Sequence, residues 1–230
     1  NTVYYARAYA TNNVGTAYGN EVFFATRGQS GTVSDVNGNS YPTIVIGTQT
    51  WMAANLKTTS YRNGNAIPTT SPATQDVSSG TPKYQWSYAG NDGNVATYGR
   101  LYTWYAVVDS RGVCPTGWSI PTYDEWTTLS DYLGGLDAAG GKLKETGTAH
   151  WTTPNTKATN ETGFTGGPGG YRGMYGPFNN IGSGGFWWGT EYDETRAWYG
   201  YLSYDNGGFD VSPNGYKSRA LSVRCIKTTR

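Results

Sequence analysis

Alternating apolar and polar positions predict short β-strands along most of the chain. Residues Val3–Ala10 alternate with a period of two, Thr11–Gly15 supply turn residues, and Glu21–Thr26 form a second alternating run. This pattern predicts a β-hairpin. Because an isolated two-stranded hairpin is only marginally stable in water, we expect it to pack on another surface or to be poorly ordered.

A linker is predicted to follow the hairpin. Residues Arg27–Thr32 (RGQSGT) are small and polar and contain two glycines. We place a domain boundary within this segment, so residues 1–28 form a β fragment and residues 29–230 form the main domain.

The first half of the main domain predicts one hairpin and several loops. Tyr41–Trp51 indicates a strand, a tight turn at Gly47-Thr48 and a second strand. Asn63–Gly80 is a polar, proline-containing loop. Leu101–Val108 can form either a short helix or a buried strand, because the periodicity of so short an apolar run does not separate the two.

The clearest helix begins after Pro121. Thr122 and Glu125 have the spacing of a capping box. An apolar stripe at helical spacing follows at Trp126, Leu129 and Leu133, and Gly134-Gly135 ends the helix. A second short helix is predicted over Ala138–Glu145, although its two central glycines weaken it.

The C-terminal third predicts an irregular stretch and then strands. His150–Ser183 is rich in Gly, Pro, Asn and Thr, and so long a loop in a compact domain is often functional. Apolar runs then predict strands at Phe186–Gly189, Ala197–Ser203, Phe209–Ser212 and Ala220–Ile226. The predicted class is α+β, with short strands, two helices, long loops and the N-terminal hairpin.

Strand alternation divides the C-terminal side chains into inward and outward sets. We predict that Trp198, Leu202, Phe209 and Val211 point inward, and we assign the adjacent Trp187 and Trp188 to the core. The outward set, completed from the neighbouring turns, is the candidate ligand-binding surface: Tyr192, Arg196, Tyr199, Tyr201, Ser203, Asp210, Ser212, Asn214 and Tyr216. Rigid aromatic rings among Ser, Gly and Asn are typical of binding surfaces. The alternative is that these tyrosines cover the edge of an aromatic core.

Composition narrows the function classes. Aromatic residues make up 15% of the chain, charged residues 14%, and the net charge is +1. A nucleic-acid-binding protein needs a basic face, which this balance does not supply. No apolar run reaches the length of a membrane span of about 18 residues. The chain opens inside a strand pattern without a signal peptide, so we take it to be cut from a longer protein.

The two cysteines predict a long-range disulfide. Cys114 and Cys225 lie far apart in sequence, and His150 is the only histidine, so they make a poor metal site. Leu221, Val223 and Cys225 share one face of the last predicted strand, which points Cys225 inward. Two buried free thiols are the alternative.

Residues suited to catalysis are few. His150 has no nucleophile motif beside it, and the carboxylate pairs Glu145 with Glu161, or Asp124 with Glu125, are the remaining candidates for glycosidase-like chemistry. Glu125 is better explained as a helix cap. We therefore predict that the chain is not an enzyme and carries no catalytic residues.

Metal binding is not indicated by a motif. The run Asn91–Asn94 lacks the acidic spacing of a calcium loop and predicts an ordinary turn. We expect no cofactor and no metal ligands, although a structural calcium ion in the long loops stays open as an alternative.

Several motifs in order resemble one known family. They are IGTQTWMAANLKT (Ile46–Thr58), YGRLYTWYAV (Tyr98–Val107), CPTGWSIPTYDEW (Cys114–Trp126), AGGKLKETG (Ala139–Gly147), WTTPNTKATNETGF (Trp151–Phe164) and SVRC (Ser222–Cys225). This set resembles the Fibrobacter succinogenes major paralogous domain, which is common in bacterial surface proteins. Residues 1–28 resemble the last two strands of a fibronectin type III-like domain.

The resemblance implies a branch of the C-type lectin-like fold, near the formylglycine-generating enzymes. It implies paired termini and a cystine between a helix-side cysteine and the last strand, which Cys114 and Cys225 fit. Formylglycine-generating enzymes need reactive cysteines, and a disulfide would use both cysteines here. The EPN and WND motifs of calcium-dependent lectins do not occur.

The C-terminal layout also resembles variable proteins of diversity-generating retroelements, which display a hypervariable face before the last strand. Together these resemblances imply a non-catalytic module, extracellular or on the bacterial cell surface. Its expected partner is a glycan or a protein on a cell or phage-host surface. A structural spacer of an adhesin and a polysaccharide-acting enzyme are the alternatives.

Overall fold

Strands dominate the part of the chain that the computed structural model describes, which is residues 3–25 and 29–228. The strands are β1 (Val3–Asn12), β2 (Gly15–Ala25), β3 (Gln29–Ser34), β4 (Ser40–Ile46), β5 (Gln49–Met52), β6 (Gln85–Trp86), β7 (Leu101–Thr103), β8 (Trp118–Ser119), β9 (Gly169–Arg172), β10 (Phe178–Ile181), β11 (Gly184–Glu191), β12 (Arg196–Ser203), β13 (Phe209–Tyr216), β14 (Ala220–Ser222) and β15 (Ile226–Lys227).

Helices are short and lie between the strands. Those in the described residues are α1 (Val95–Tyr98), α2 (Trp104–Val107), α3 (Tyr123–Tyr132) and α4 (Leu136–Leu143), with two 3-10 turns at Tyr88–Gly90 and Asp92–Asn94. The predicted α+β class is confirmed, but the prediction of two helices was too low. Leu101–Val108 is both elements in turn, since strand β7 runs directly into helix α2.

The N-terminal hairpin is confirmed in the described residues. Strands β1 and β2 pair antiparallel from Val3↔Ala25 to Asn12↔Gly15. Thr26, Arg27 and Gly28 lie outside the described residues. The predicted linker extends too far, because β3 begins at Gln29 and pairs with β4. The domain division at residue 28 stays a prediction.

A five-stranded sheet joins the start and the end of the main domain. Its strand order is β3-β4-β5-β15-β8. The predicted turn between β4 and β5 is present, with Gly47 at a φ of 59°. Ile226 of β15 pairs with both Trp51 and Ser119, which places the preceding cysteine near β8. The predicted disulfide is confirmed: Cys114 and Cys225 are bonded, with their Cα atoms 6.0 Å apart.

A larger sheet carries the C-terminal half. Its strand order is β10-β9-β14-β11-β12-β13, and β7 pairs with β14 and β6. Strands β9 and β10 lie within the segment that we predicted to be irregular. Their sequences, GGYR and FNNI, are rich in Gly and Asn, which are depleted in strands and therefore indicate turns. The other C-terminal strands are confirmed, except that the last one is divided between β14 and β15.

Strand β11 is buried on both faces, and it joins two hydrophobic cores. Trp187 and Trp188 are both 0% exposed and point to opposite sides. Trp187 packs with Trp126, Phe164 and Leu202 in one core, and Trp188 packs in the other, which holds the disulfide. Each indole N–H is satisfied: that of Trp187 by Asn55 Oδ1 at 2.7 Å and that of Trp188 by a backbone carbonyl oxygen at 2.7 Å. The assignment of both tryptophans to the core is confirmed.

Helix α3 begins where the sequence predicts. The Thr122 Oγ1 accepts the Glu125 backbone N–H at 3.1 Å, and Glu125 Oε2 accepts that of Thr122 at 2.7 Å, which completes the capping box. The apolar stripe is buried at Trp126, Leu129 and Leu133. Trp126 stacks on Trp51 with ring centroids 4.7 Å apart, so the helix closes one core over the five-stranded sheet. Helix α4 begins two residues before its predicted start.

Three buried cations donate hydrogen bonds to the carbonyl oxygens of loops. Within the described residues, none of the three is paired with a carboxylate. Lys144 is 0% exposed, and its ammonium donates to the carbonyl oxygens of Thr156, Ser203 and Asn206 at 2.7, 2.9 and 2.7 Å. Burial lowers the pKa of Lys144 to about 8, so the amine is still protonated at pH 7 and can donate to all three oxygens. The loop after α4 and the β12–β13 turn are thereby tied to one side chain.

Arg172 and Arg224 also donate hydrogen bonds to the carbonyl oxygens of loops. Arg172 donates to the carbonyl oxygens of Ala73 at 2.9 Å and Gly173 at 3.0 Å, and also to that of Gln75. Arg224 donates to the carbonyl oxygen of Phe164 and through two nitrogens to Asn55 Oδ1 at 3.1 and 2.7 Å. Burial lowers the pKa of Arg172 to about 10 and that of Arg224 to about 9, so both remain charged at neutral pH.

Replacement of the buried lysine tests this arrangement. We expect Lys144→Met to lower the free energy of unfolding by roughly 3 kcal/mol, because one buried and two partly buried carbonyl oxygens lose their donor. Lys142→Met is the matched control, since Lys142 lies two residues earlier, in the last turn of α4, and its ammonium pairs with Glu161 at 3.2 Å near the surface. We expect that change to cost less than about 1 kcal/mol. Urea unfolding followed by tryptophan fluorescence measures both, and equal losses would contradict the role of Lys144.

Candidate functional site: an aromatic cleft

The register of the large sheet brings the two central predicted tyrosines to one face. Tyr201 lies opposite Phe186 of β11, and Tyr199 lies opposite Trp188. On the other side, Asp210 and Ser212 of β13 lie opposite Tyr201 and Tyr199. Directly opposed residues share a face of an antiparallel pair. Tyr199, Tyr201, Asp210 and Ser212 therefore belong to one face, as the alternation predicts.

This face contains a cleft of about 320 Å³. Its walls are largely aromatic: the Tyr201 ring stacks on Phe186 with centroids 4.7 Å apart, and Tyr171 meets Phe186 edge to face at 5.1 Å. The lining residues are Tyr171, Asn180, Phe186, Tyr199, Tyr201, Gly215, Arg219 and Leu221. A volume of this size falls at the lower end of the range for small-molecule sites.

Gly215 allows the rings to approach each other. A Cβ at this position would lie 2.6 Å from the Trp188 ring, 2.8 Å from the Ala197 carbonyl oxygen and 3.1 Å from the Tyr199 ring. Real Cβ atoms essentially never come within 3.0 Å of another atom, so the first two contacts exclude a side chain here. The glycine thus leaves room for the Trp188 and Tyr199 rings, and Tyr199 lines the cleft.

Two polar side chains enter the aromatic cleft. Asn180 is exposed at the end of β10, and its amide donates to Ser183 Oγ at 3.4 Å. Arg219 is half-buried, and its guanidinium lies 5.6 Å from the Tyr171 ring centroid and 5.2 Å from that of Tyr216. Cation–π contacts at these distances hold the guanidinium between two rings.

Sequence reasoning found only part of the cleft. It assigned Tyr199 and Tyr201 to the surface, but the four residues Tyr171, Asn180, Phe186 and Arg219 were not in the predicted set. Phe186 carried a signal, because it lies two positions before Trp188 on a predicted strand and so shares its face. Tyr171 and Asn180 come from the irregular segment that length alone marked as functional, and no pattern placed them beside β12.

A second group of predicted residues lies at the β11–β12 turn, outside the cleft. The Arg196 guanidinium pairs with Asp193 at 2.7 Å and lies 5.3 Å from the Tyr192 ring centroid. Arg196 also donates to Asn214 Oδ1 at 3.4 Å. Backbone N–H donation from Thr195, together with the Arg196 side chain, lowers the pKa of Asp193 to about 2. Tyr192 is exposed, and this group lies outside the cleft. Tyr216 does not line the cleft, but its ring contacts Arg219, which does.

The exposure of two residues differs from the prediction. Ser203 is only 6% exposed; its hydroxyl donates to Asp205 at 2.6 Å and its carbonyl oxygen accepts from Lys144. The chain turns back over this end of β12. Ser203 is therefore covered, although it lies on the side of the strand that was predicted to face solvent. Trp198 packs on Tyr123 of α3 at 4.3 Å, and Trp126 of the same helix shares a core with Leu202. Trp198 therefore lies on the predicted side, but at the edge of the core, where it is only half-buried.

The remaining inward predictions have mixed outcomes. Leu202 and Phe209 are fully buried, as predicted, whereas Val211 is only partly buried against the same core.

Three of the four candidate catalytic carboxylates have other partners. Glu125 completes the α3 capping box, Glu161 pairs with Lys142, and Glu145 accepts from His150 Nδ1 at 2.9 and 3.0 Å. Glu145 and His150 lie beside a smaller cavity of about 180 Å³, whose lining includes the buried Arg224.

Metal-ligating side chains do not gather in the described residues. No group there combines three or more His, Cys, Asp or Glu side chains in a position to hold an ion. Asp92, in the Asn91–Asn94 turn, pairs instead with Arg100 at 3.0 Å. Across residues 3–25 and 29–228, no helix has the length and apolar character needed to cross a membrane.

Comparison with known proteins identifies one family. The family model of the Fibrobacter succinogenes major domain matches residues 44–227, which include the cleft, the large sheet and the five-stranded sheet except β3 and the start of β4. No curated protein and no solved structure gives a significant match to the chain.

The role of Gly215 can be tested directly. We expect Gly215→Ala to destabilise the protein by about 1–3 kcal/mol, because the added methyl group must displace Trp188 or Tyr199. Gly167→Ala is the control, since a Cβ there meets nothing within 4 Å. Thermal unfolding and near-UV circular dichroism measure stability and ring packing. An unchanged near-UV spectrum for Gly215→Ala would show that the rings are not held by this contact.

Proposed function

We propose that this chain, which belongs to the Fibrobacter succinogenes major domain family, is a non-catalytic module that binds a glycan in the aromatic cleft. The observation that carries the proposal is the grouping of four aromatic rings with Asn180 and Arg219 around a concave space of about 320 Å³. Aromatic faces stack on the apolar C–H faces of sugars, and the amide and guanidinium supply hydrogen bonds to their oxygens.

The shape of the site favours a glycan over a protein partner. A stable protein interface buries roughly 800 Å² on each partner, whereas a space of this size accommodates one or two sugar units. Tyr199 and Tyr201 are half-buried in the cleft walls instead of standing on an open face. Such rings are already fixed before a ligand arrives, which lowers the entropic cost of binding.

Fold and location complete the proposal. We propose that the main domain is C-type lectin-like, since its first and last strands share one sheet and a cystine links Cys114 to the last strand region. We assign the N-terminal hairpin to the end of a fibronectin type III-like domain. The disulfide supports an extracellular or cell-surface location, because such bonds persist in oxidising compartments. Retroelement diversification of the C-terminal face is part of the same hypothesis.

Glycan binding with cleft variants tests the function. We expect the protein to bind saccharides on a glycan array, and Tyr199→Ala and Tyr201→Ala each to weaken the bound hit by roughly 30-fold or more. Tyr132→Ala is the control, because Tyr132 is an exposed ring on α3, which packs on the opposite face of the sheet. Calorimetry measures affinity, and thermal unfolding confirms that each variant is folded.

Other outcomes would contradict this function. Binding only on a surface-protein array would favour a protein receptor. Absence of binding on both arrays would favour a structural spacer. Release of products from a polysaccharide panel would show an enzyme.

A further inference from the structure

Arg219 differs from the other cations near the cleft in having no acceptor of its own. It is the only charged residue among those that line the cleft. In the described part of the chain its guanidinium makes no hydrogen bond to another side chain or to a carbonyl, and no carboxylate lies within 4.0 Å of it. Its contacts are the rings of Tyr171 and Tyr216.

Neighbouring cations show the contrast. Arg196 is paired with Asp193 at 2.7 Å, and Lys217, which contacts the Trp104 ring at 4.3 Å, is paired with Glu191. Arg224 donates to Asn55 Oδ1 and to a loop carbonyl oxygen. These side chains are satisfied within the protein. Arg219 is instead held in orientation by two rings, with its hydrogen-bond donors left for a bound molecule.

From this geometry we infer that the cleft selects a saccharide that carries an anionic group, a carboxylate or a sulfate, which pairs with Arg219. The inference rests on the proposed function. A guanidinium presents a planar fork of donors that matches a carboxylate or sulfate in a bidentate manner. No acidic residue lines the cleft to repel such a group.

The cost of removing water from Arg219 favours an anionic sugar over a neutral one. A neutral sugar that fills the cleft removes water from Arg219 and returns only weak hydroxyl acceptors, so part of the lost hydration is not replaced. An anionic sugar replaces that water with a charge-assisted pair inside an aromatic surround, where the interaction is stronger than in bulk solvent. We expect a preference of roughly 10- to 100-fold for the anionic sugar.

A matched ligand set tests the inference. The probes are an oligogalacturonide, the same oligomer with its carboxyl groups reduced to alcohols, and a sulfated oligosaccharide of similar length. Calorimetry should show tighter binding of the oligogalacturonide or of the sulfated oligomer than of the reduced oligomer, and the comparison of the two acidic probes distinguishes carboxylate from sulfate. The preference should fall as salt rises, because it is electrostatic.

Variants assign the preference to Arg219. We expect Arg219→Gln to abolish the difference between acidic and reduced oligomers, because it weakens binding of the acidic oligomers far more than binding of the reduced one. Arg219→Lys should retain part of the preference, since it keeps the charge but loses the fork. Arg62→Gln is the control, because Arg62 is exposed and does not line the cleft.

Failure of this inference differs from failure of the proposed function. Equal affinity for acidic and reduced oligomers, or a preference that survives Arg219→Gln, would overturn the role of Arg219. Glycan binding that still depends on Tyr199 and Tyr201 would then leave the proposed function intact. Absence of binding to acidic and neutral saccharides alike would overturn both.

Discussion

The need to satisfy buried carbonyl oxygens in loops controls this structure. Helices and sheets satisfy their own backbone groups, but a domain with short strands and long loops buries many carbonyls that have no ladder partner. Lys144, Arg172 and Arg224 answer this need, since each cation carries several donors and reaches two or three oxygens at once. A buried cation without a carboxylate is costly, but each of these is hydrogen-bonded on several sides, and together they hold the loops still.

The same cations connect the loops to the cleft. Arg224 and Trp187 share the Oδ1 atom of Asn55, so the guanidinium that holds the Phe164 carbonyl also helps to fix β11. Phe186, one residue before Trp187, forms the centre of the cleft wall. Lys144 holds the Ser203 carbonyl at the end of β12, the strand that carries Tyr199 and Tyr201. Three of the four cleft rings, Phe186, Tyr199 and Tyr201, therefore lie on two strands that these cations help to position.

Local signals in the sequence were sufficient for part of this fold. The α3 capping box, the Gly47 turn and the inward position of Cys225 each depend on a few neighbouring residues, and each is confirmed. Strands β9 and β10 have no apolar period, so only their pairing reveals them. Trp198 lies at the edge of the core, against Tyr123 of α3, and Ser203 is covered by the turn that follows it. The cleft combines β12 with Tyr171, Asn180 and Arg219, and residues so far apart in sequence give no joint signal.

Strand alternation also separates the side chains of β12 that pack under helix α3 from those that line the cleft. Gly200 and Leu202 are buried toward Trp126 and Phe209, and a Cβ at Gly200 would lie 2.7 Å from the Phe209 ring. Tyr199 and Tyr201 project from the other face into the cleft. A substitution on the cleft face changes the ring or polar group that lines the cleft while the other face keeps its packing, because neighbouring positions on a strand point in opposite directions. Gly215 limits this freedom, since a Cβ there would lie 2.6 Å from the Trp188 ring and 3.1 Å from the Tyr199 ring. The side chains that line the cleft can thus vary only while position 215 stays a glycine beside the buried Trp188.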